Sequence, residues 1–296
     1  MMPMERAKWS LEGLSVGDAF GQQFFDHPPH NIESRTLPKP PWYYTDDTEM
    51  TLSIVENLEQ YSTIEQDSLA RAFAERYDPS RGYGPAMHRL LRQIDFGIDW
   101  RVAARESFEG QGSYGNGAAM RVAPIGAYFA DDLEQVRIQS EKSAVITHTH
   151  PEGIAGAVAV AIAAAYAWQY REKTIKPSRS AFLDRVLSHL PSSEVKSKLE
   201  RARNLPASTS AELAAVILGS GAQISAQDTV PFSLWCAAGS LDHFEDALWQ
   251  TVSGLGDRDT TCAIVGGIVS LSNSSALPKS WLEAREILPT SNLTQN

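Results

Sequence analysis

The chain of 296 residues has little cysteine and no excess of basic residues. Its two cysteines, Cys236 and Cys262, are too few for a disulfide framework or a thiolate metal cluster, so a reducing, cytoplasmic setting is expected. The chain contains 36 Asp and Glu against 26 Lys and Arg, which argues against a broad basic surface that binds nucleic-acid phosphates. We therefore expect no nucleic-acid partner.

Long apolar segments are also lacking. The first 20 residues have no uninterrupted apolar core of the kind found in a signal peptide, because charged residues and glycines break it up. The most apolar run, residues 153–168, is shorter than the roughly 20 residues that span a membrane, and it is rich in alanine. These features predict neither secretion nor a membrane location, and they favour a helix buried inside the protein.

Alternating β-type patterns are absent, and helical spacing dominates. Apolar residues recur three and four positions apart in the segments 47–60, 66–77, 131–146, 153–170, 179–190, 209–219 and 242–253. No repeat of 20 to 50 residues and no sharp change of composition marks a domain boundary. The sequence therefore predicts one all-α domain over residues 1–296, with a mobile polar tail after about residue 285.

An acidic cluster stands just before one of these helical segments. In "YTDDTEM", Asp46 and Asp47 lie between Thr45 and Thr48. Such residues are typical of a capped helix start, where side-chain oxygens accept hydrogen bonds from free backbone N–H groups. Carboxylate and hydroxyl oxygens are also the ligands that hard cations prefer, so half of a cation site is the other interpretation.

The same chemistry returns far downstream. In "GDRDTTCAIVGG", Asp257, Asp259 and Thr260 again precede an apolar helical segment. Helix capping again explains either cluster taken alone. If the two loops converge, however, their oxygens can hold Mg²⁺ or Mn²⁺, and the cation would relieve the repulsion between the carboxylates.

Two further motifs contain residues with binding chemistry. The glycine-rich "GQGSYGNGAAMR" follows no strand and lacks the G-x-G-x-x-G spacing, which argues against a dinucleotide-binding fold. Its N–H groups, leading into a helix expected to begin near Ala118, can face an anion, although a plain turn is the alternative. His148 and His150 in "THTHPEG" are candidates for a metal pair or for structural and capping roles.

Six segments together resemble the ADP-ribosylglycohydrolases of the dinitrogenase-reductase-activating type. In chain order they are "GLSVGDAFG", "YTDDTEM", "GNGAAMRVAPIG", "THTHPEGIAGAVAVA", "GDRDTTCAIVGGI" and "LPKSW". The resemblance covers nearly the whole chain and implies an orthogonal all-helical bundle with two Mg²⁺ or Mn²⁺ ions at one end of a cleft. The metal ligands that it implies are Thr45, Asp46, Asp47, Asp257, Asp259 and Thr260.

The resemblance also implies where the substrate binds. The glycine loop would hold the diphosphate and ribose of ADP-ribose, and His148 would border the substrate cleft. Arg121 is expected to be structural and to pair with a buried carboxylate, and Asp18 to support a ligand or cap a turn. The candidate substrate contacts of the loop are Ser113, Tyr114, Gly115, Asn116 and Gly117.

The implied reaction is hydrolysis of the N- or O-glycosidic bond between C1 of ADP-ribose and a modified protein side chain, most often arginine. Many family members carry a glutamate shortly after this "GDAxG" element, whereas this chain reads "GDAFGQQFFD" and places Asp26 there. Asp26, Asp46 and Asp259 are the candidates for the catalytic base. The missing glutamate leaves open a non-catalytic module that binds ADP-ribose or masks a partner, and hydrolysis of another ADP-ribosyl linkage is a third hypothesis.

Overall fold

The computed structural model describes residues 1–27, 30–272 and 277–289. Across these ranges the chain forms α-helices and two 3-10 turns, Pro79–Arg81 and Asn116–Ala118, with two isolated β-bridges and no β-strand. The predicted all-α class is therefore confirmed. The helices are α1 Pro3–Gln23, α2 His30–Glu33, α3 Asp46–Tyr61, α4 Gln66–Glu75, α5 Pro85–Asp95, α6 Trp100–Arg105, α7 Ala123–Tyr128, α8 Leu133–Val145, α9 Pro151–Gln169, α10 Arg179–Leu187, α11 Glu194–Asn204, α12 Ala211–Leu218, α13 Ala226–Gly239, α14 Phe244–Val252, α15 Arg258–Ser272 and α16 Lys279–Ala284.

Each of the seven segments with helical spacing contains a helix. The prediction of a helix that begins near Ala118 is wrong, because the glycine loop leads only into the three-residue 3-10 turn. The next helix, α7, begins at Ala123 with Pro124 in its first turn. Proline fits the first turn of a helix but cannot continue an existing ladder of hydrogen bonds, so the helix starts there and not earlier.

Helix α9 lies in the middle of the core. It contacts α7, α8, α13 and α15, and nearly all of its alanines are fully buried. By length and composition this helix could cross a membrane, but 78% of its most apolar window is buried inside the protein. That burial is the pattern of a core helix and agrees with the sequence prediction.

Helix α1 brings the two acidic segments to the same end of the bundle. It packs along α15 and also contacts α3. The approach to α15 is close, since a Cβ atom on Gly17 would overlap the backbone of Cys262. One turn further on, Gly21 lies against Arg258 and Asp259, so the end of α1 meets the start of α15.

The end of the described chain is tied to the body of the protein. The backbone N–H of Glu286 donates to the carbonyl of Trp42 at 2.9 Å, and the Glu286 carboxylate accepts from the N–H of Tyr44 at 3.1 Å. The segment expected to be mobile after about residue 285 is therefore anchored at its beginning. The rest of that predicted tail, residues 290–296, lies outside the described residues.

Candidate active site

The start of α3 is capped by a residue from another helix. Thr45 occupies the N-cap position but makes no side-chain capping bond to α3. Instead the buried Asp18 carboxylate, on α1, accepts hydrogen bonds from the backbone N–H of Thr45 and of Thr48, at 3.0 to 3.1 Å. It also accepts from both threonine hydroxyls, at 2.8 and 2.5 Å. Capping is thus supplied by Asp18, as expected of a residue that caps a turn, and it does not explain Asp46 and Asp47.

The two acidic clusters meet in space. The Thr260 hydroxyl lies 3.4 Å from Oδ2 of Asp47, although 213 residues separate them in sequence. The Thr45 hydroxyl, which also contacts Asp18, lies 3.0 Å from the same oxygen. The other oxygen of Asp47, Oδ1, is buried without a hydrogen-bond partner in the described chain. A buried carboxylate oxygen with no donor is costly, and a cation would satisfy it.

The carboxylates at this end of the bundle repel one another. Burial, and then the Asp18 carboxylate, raises the pKa of Asp46 to about 8. Burial followed by the same neighbour raises the pKa of Asp47 well above the usual range, and burial followed by Asp257 does so for Asp259. Burial also raises the pKa of Asp18 to about 6 despite its hydrogen bonds. These carboxylates are therefore poorly compensated by the protein alone.

The oxygen atoms that the two acidic clusters bring together fit the ligand preferences of a hard cation. Among the described side chains, no group of three or more His, Cys, Asp or Glu residues is already arranged to hold one metal ion. The hydroxyl oxygens of Thr45 and Thr260 lie beside the Asp47 carboxylate. The unpaired Oδ1 atom and the raised pKa values both indicate carboxylates that the protein alone does not compensate. Carboxylate and hydroxyl oxygens are the ligands that a hard cation prefers.

A cavity of about 500 Å³ opens above the acidic clusters. Most of the candidate residues from the sequence line it together, while Thr45 and Asp47 are buried and do not belong to its lining, and Asp26 is exposed elsewhere. The candidates in the lining are Asp46, Ser113, Tyr114, Gly115, Asn116, Gly117, His148, Asp257, Asp259 and Thr260. Segments far apart in sequence thus build one site, with carboxylates at its base and the glycine loop on its wall.

Asn116 links the glycine loop to the second acidic cluster. Its side-chain nitrogen donates to the Asp257 carboxylate at 2.6 Å and to the Thr229 hydroxyl at 3.0 Å. With the amide oriented this way, both of its N–H groups are used within the protein, and only Oδ1 is left for a ligand. Asn116 therefore fixes the position of Asp257 as well as lining the cavity.

The two histidines of "THTHPEG" have separate surroundings. His150 is the N-cap of α9, where its ring accepts from the N–H of Glu152 at 3.1 Å. His148 is buried and lines the cavity. Since one ring caps a helix and the other faces the cavity, the capping role holds for His150 alone.

Aromatic and apolar side chains form the rim of the cavity. Phe108 is 48% exposed and Tyr114 38% exposed, and their ring centroids lie 5.6 Å apart. Exposed rings of this kind offer stacking faces to a flat ligand. Tyr114 was a candidate from the sequence, whereas the loop residues Phe108 and Ile224, and Met87 of α5, also line the cavity and were not predicted. No periodic signal in a loop indicates which of its apolar residues stay exposed.

A family model described as ADP-ribosylglycohydrolase matches residues 2–294. The chain belongs to the ADP-ribosylglycohydrolase family. The resemblance found in the sequence motifs is thereby confirmed, and membership of the family supports a hydrolase role.

Similar proteins cover nearly its whole length. ADP-ribosylhydrolase ARH3 of Homo sapiens is 26% identical over 96% of this chain and 90% of its own length. An uncharacterised protein of Archaeoglobus fulgidus is 30% identical, covering 94% of this chain and 91% of its own. ADP-ribosylarginine hydrolase Tri1 of Serratia proteamaculans is 26% identical over 95% of this chain and 75% of its own length.

A solved structure shares the fold of this chain. It is described as an ADP-ribosylglycohydrolase-related protein complex, and it superposes with a TM-score of 0.67 at 23% identity. The match covers 96% of this chain and 93% of the other. The predicted type of helical bundle is therefore confirmed.

Proposed function

We propose that this protein removes ADP-ribose from modified protein side chains by hydrolysing the glycosidic bond at C1 of the distal ribose. Two Mg²⁺ or Mn²⁺ ions would be bound by Thr45, Asp46, Asp47, Asp257, Asp259 and Thr260. The observation that carries the proposal is the contact between Thr260 and Asp47, which joins two remote acidic clusters beneath one cavity. An unpaired buried carboxylate oxygen at that contact supports the cations.

Hydrolysis of a glycosidic bond passes through a state with positive charge on the sugar ring, so the site must orient the ribose and position a water. Divalent cations, when bound, hold sugar hydroxyls and make a water more acidic. The chain itself supplies carboxylates at the base of the cavity. Of the three candidates for the base, Asp46 and Asp259 line the cavity and Asp26 does not, which favours the first two.

The remainder of ADP-ribose would extend along the glycine loop toward the rim. Ser113, Gly115 and Gly117 present small surfaces to a diphosphate, and Asn116 offers an oxygen to a hydroxyl. At the rim, Phe108 and Tyr114 would stack on the adenine base. This assignment accounts for two exposed aromatic rings that the packing of the core does not explain.

Alanine at Phe108 or Tyr114 should weaken ADP-ribose binding, because loss of a stacked aromatic ring costs about 1–3 kcal/mol per base. We expect the dissociation constant, measured by isothermal titration calorimetry, to rise roughly 5- to 100-fold. Phe96→Ala is the matched control, since Phe96 is 84% exposed and does not line the cavity. Equal affinities of all three variants and the wild type for ADP-ribose would contradict the proposal that the adenine base binds at this rim.

Arginine is the linkage that we favour. The chain is similar over almost its full length to a protein named ADP-ribosylarginine hydrolase, although ADP-ribosylhydrolase ARH3 is matched over more of its own length, 90% against 75%. Serine, nucleobase and small-molecule linkages remain alternatives that the same chemistry can attack. These substrates differ only in the group to which ADP-ribose is attached.

A non-catalytic ADP-ribose-binding or partner-masking module is the second candidate. The observation that favours it is the sequence after Gly21, where Gln22, Gln23, Phe24 and Phe25 leave no glutamate and Asp26 is exposed. Such a module would bind ADP-ribose in the same cavity without releasing it from a protein.

Release of ADP-ribose tests the proposal. Purified protein would be incubated with peptides ADP-ribosylated on arginine or on serine, with Mg²⁺ or Mn²⁺ and with EDTA in parallel. We expect release from the arginine peptide with either cation and none with EDTA. Binding of the modified peptide without release under any condition would establish the module, and release from the serine peptide alone would change the linkage.

A further inference from the structure

A line of hydrogen bonds connects a buried arginine to His148. The Arg121 guanidinium is fully buried, and its Nη2 donates to the Ser143 carbonyl at 3.0 Å and to the Thr147 hydroxyl at 2.9 Å. The Thr147 oxygen in turn lies 2.6 Å from Nδ1 of His148. Arg121 makes no salt bridge among the described residues, so the prediction that it pairs with a buried carboxylate is wrong. Its neighbours are hydrogen-bond acceptors and the Phe73 ring, 4.5 Å away.

The direction of these hydrogen bonds follows from the groups involved. A guanidinium has donors only, so the Thr147 oxygen must accept from Arg121. The single hydroxyl hydrogen of Thr147 then needs an acceptor, and within the described chain Nδ1 of His148 is the one within hydrogen-bond distance. Burial, and then the nearby Arg121 charge, lowers the pKa of His148 to about 3, so the ring is neutral. A neutral ring that accepts at Nδ1 carries its hydrogen on Nε2.

The Nε2 atom points at the glycine loop. A Cβ atom on Gly115 would lie 3.1 Å from it and a Cβ on Gly117 3.2 Å from it. Only glycine leaves this edge of the ring uncovered, and no described protein group accepts a hydrogen bond from Nε2. His148 is 3% exposed yet lines the cavity. The Nε2 donor therefore reaches the cavity, where a ligand or a water supplies its acceptor.

We propose that Arg121 and Thr147 are positioning residues that hold His148 as the Nε2–H tautomer, so that this N–H donates to an acceptor oxygen of the ligand. The ligand part rests on the proposed function, in which the oxygen belongs to a phosphate or a ribose hydroxyl of ADP-ribose. The positioning part concerns the free protein and stands on the hydrogen bonds alone. Arg121 acts through Thr147 and does not touch the ligand.

Thr147→Val is the variant that separates positioning from folding. Valine keeps the shape of threonine and removes the hydroxyl, while Arg121 keeps its bond to the Ser143 carbonyl. Thr147→Ser restores the hydroxyl. Thr251→Val is the matched control, because Thr251 is a buried threonine whose hydroxyl donates to the Ala247 carbonyl within α14, away from the cavity.

Side-chain ¹⁵N NMR on the free protein reads the tautomer directly. We expect His148 in the wild type to be protonated at Nε2 and unprotonated at Nδ1 near neutral pH. Thr147→Val should change the Nδ1 signal, because that nitrogen loses the hydrogen bond that it accepts, whereas Thr147→Ser and Thr251→Val should keep the wild-type signals. A wild-type ring protonated at Nδ1, or a Thr147→Val spectrum identical to that of the wild type, would overturn the positioning role.

Binding measurements test the ligand part. Thr147→Val should bind ADP-ribose roughly tenfold more weakly than the wild type, and Thr147→Ser should recover the affinity. A loss seen with ADP as well as with ADP-ribose assigns the oxygen to a phosphate, and a loss with ADP-ribose alone assigns it to the distal ribose. Unchanged affinity for both ligands overturns the contact. A wild type that binds neither overturns the contact together with the proposed function, while the tautomer signal still decides the positioning role.

Discussion

Asp259→Asn should lower the turnover number for release of ADP-ribose about 100- to 10,000-fold while the protein remains folded. The carboxylate of Asp259 lines the cavity, and burial and the neighbouring Asp257 raise its pKa, so it is poised both to bind a cation and to accept a proton. Asparagine keeps the size of the side chain and removes its charge. Turnover is measured on the ADP-ribosylated arginine peptide, and Mn²⁺ binding by calorimetry should fall in parallel.

The control for this substitution is Asp95→Asn, because Asp95 is an exposed carboxylate at the end of α5 outside the cavity. Its turnover should match that of the wild type. Asp26→Asn distinguishes the candidate bases, and we expect it to retain turnover within about threefold, since Asp26 does not reach the cavity. Full activity in Asp259→Asn would show that the second acidic cluster only caps a helix. A large loss of activity in Asp26→Asn would indicate that Asp26 is the catalytic base.

The melting temperature of the metal-free protein should fall as the pH rises from about 5 to about 8. In the folded state the pKa of Asp18 is about 6 and that of Asp46 about 8, and those of Asp47 and Asp259 are also raised. Unfolded aspartates titrate near 3.9. These four groups make the folded protein bind more protons than the unfolded chain, so stability is lost as the pH rises through the folded pKa values. The lowered pKa of His148 acts in the opposite direction below about pH 6.5, but it is one group against four. We expect a fall on the order of 5–10 °C in EDTA, measured by differential scanning calorimetry.

Added Mn²⁺ should raise the melting temperature more at pH 8 than at pH 5, because a cation binds ionised carboxylates and stabilises the native state by mass action. Exposed carboxylates whose pKa is lowered by partners, such as Asp67 and Glu134, titrate below this window and do not obscure the trend. Asp259→Asn provides an internal control, since loss of one of the shifted groups should flatten the slope in EDTA. A melting temperature that is constant or rises between pH 5 and pH 8 without metal would contradict the electrostatic picture of the site.

The spacing of apolar residues predicted seven of the helices described above, but not how the helices are joined by side-chain contacts. The spacing of apolar residues predicted a helix over 153–170, and α9 runs from Pro151 to Gln169. Periodicity reports which face of a segment is apolar, so it locates helices well. It contains no information about a bond such as that from Asn116 to Asp257, whose residues are 141 positions apart.

The candidate residues were found because their chemistry is unusual where they stand, with acidic and hydroxyl side chains clustered before apolar helices. The errors have the same physical origin. Arg121 was expected to pair with a carboxylate because a buried guanidinium needs acceptors, but a carbonyl and a hydroxyl accept from it instead, and its Nε has no partner among the described residues. Phe108 was not predicted because its interest depends on the exposure of its ring. That exposure depends on the conformation of the loop and not on the composition of the loop.

The cap that Asp18 places on α3 has a practical consequence for protein engineering. A designer who transplants residues 44–50 into another helical scaffold would move the aspartates without the acceptor that satisfies Thr45 and Thr48. In the recipient, Asp46 or Asp47 would then accept hydrogen bonds from the uncapped N–H groups at the helix start, and its carboxylate oxygens would no longer be available to a ligand. The smallest portable version of this half-site is therefore a pair of helices and not a loop.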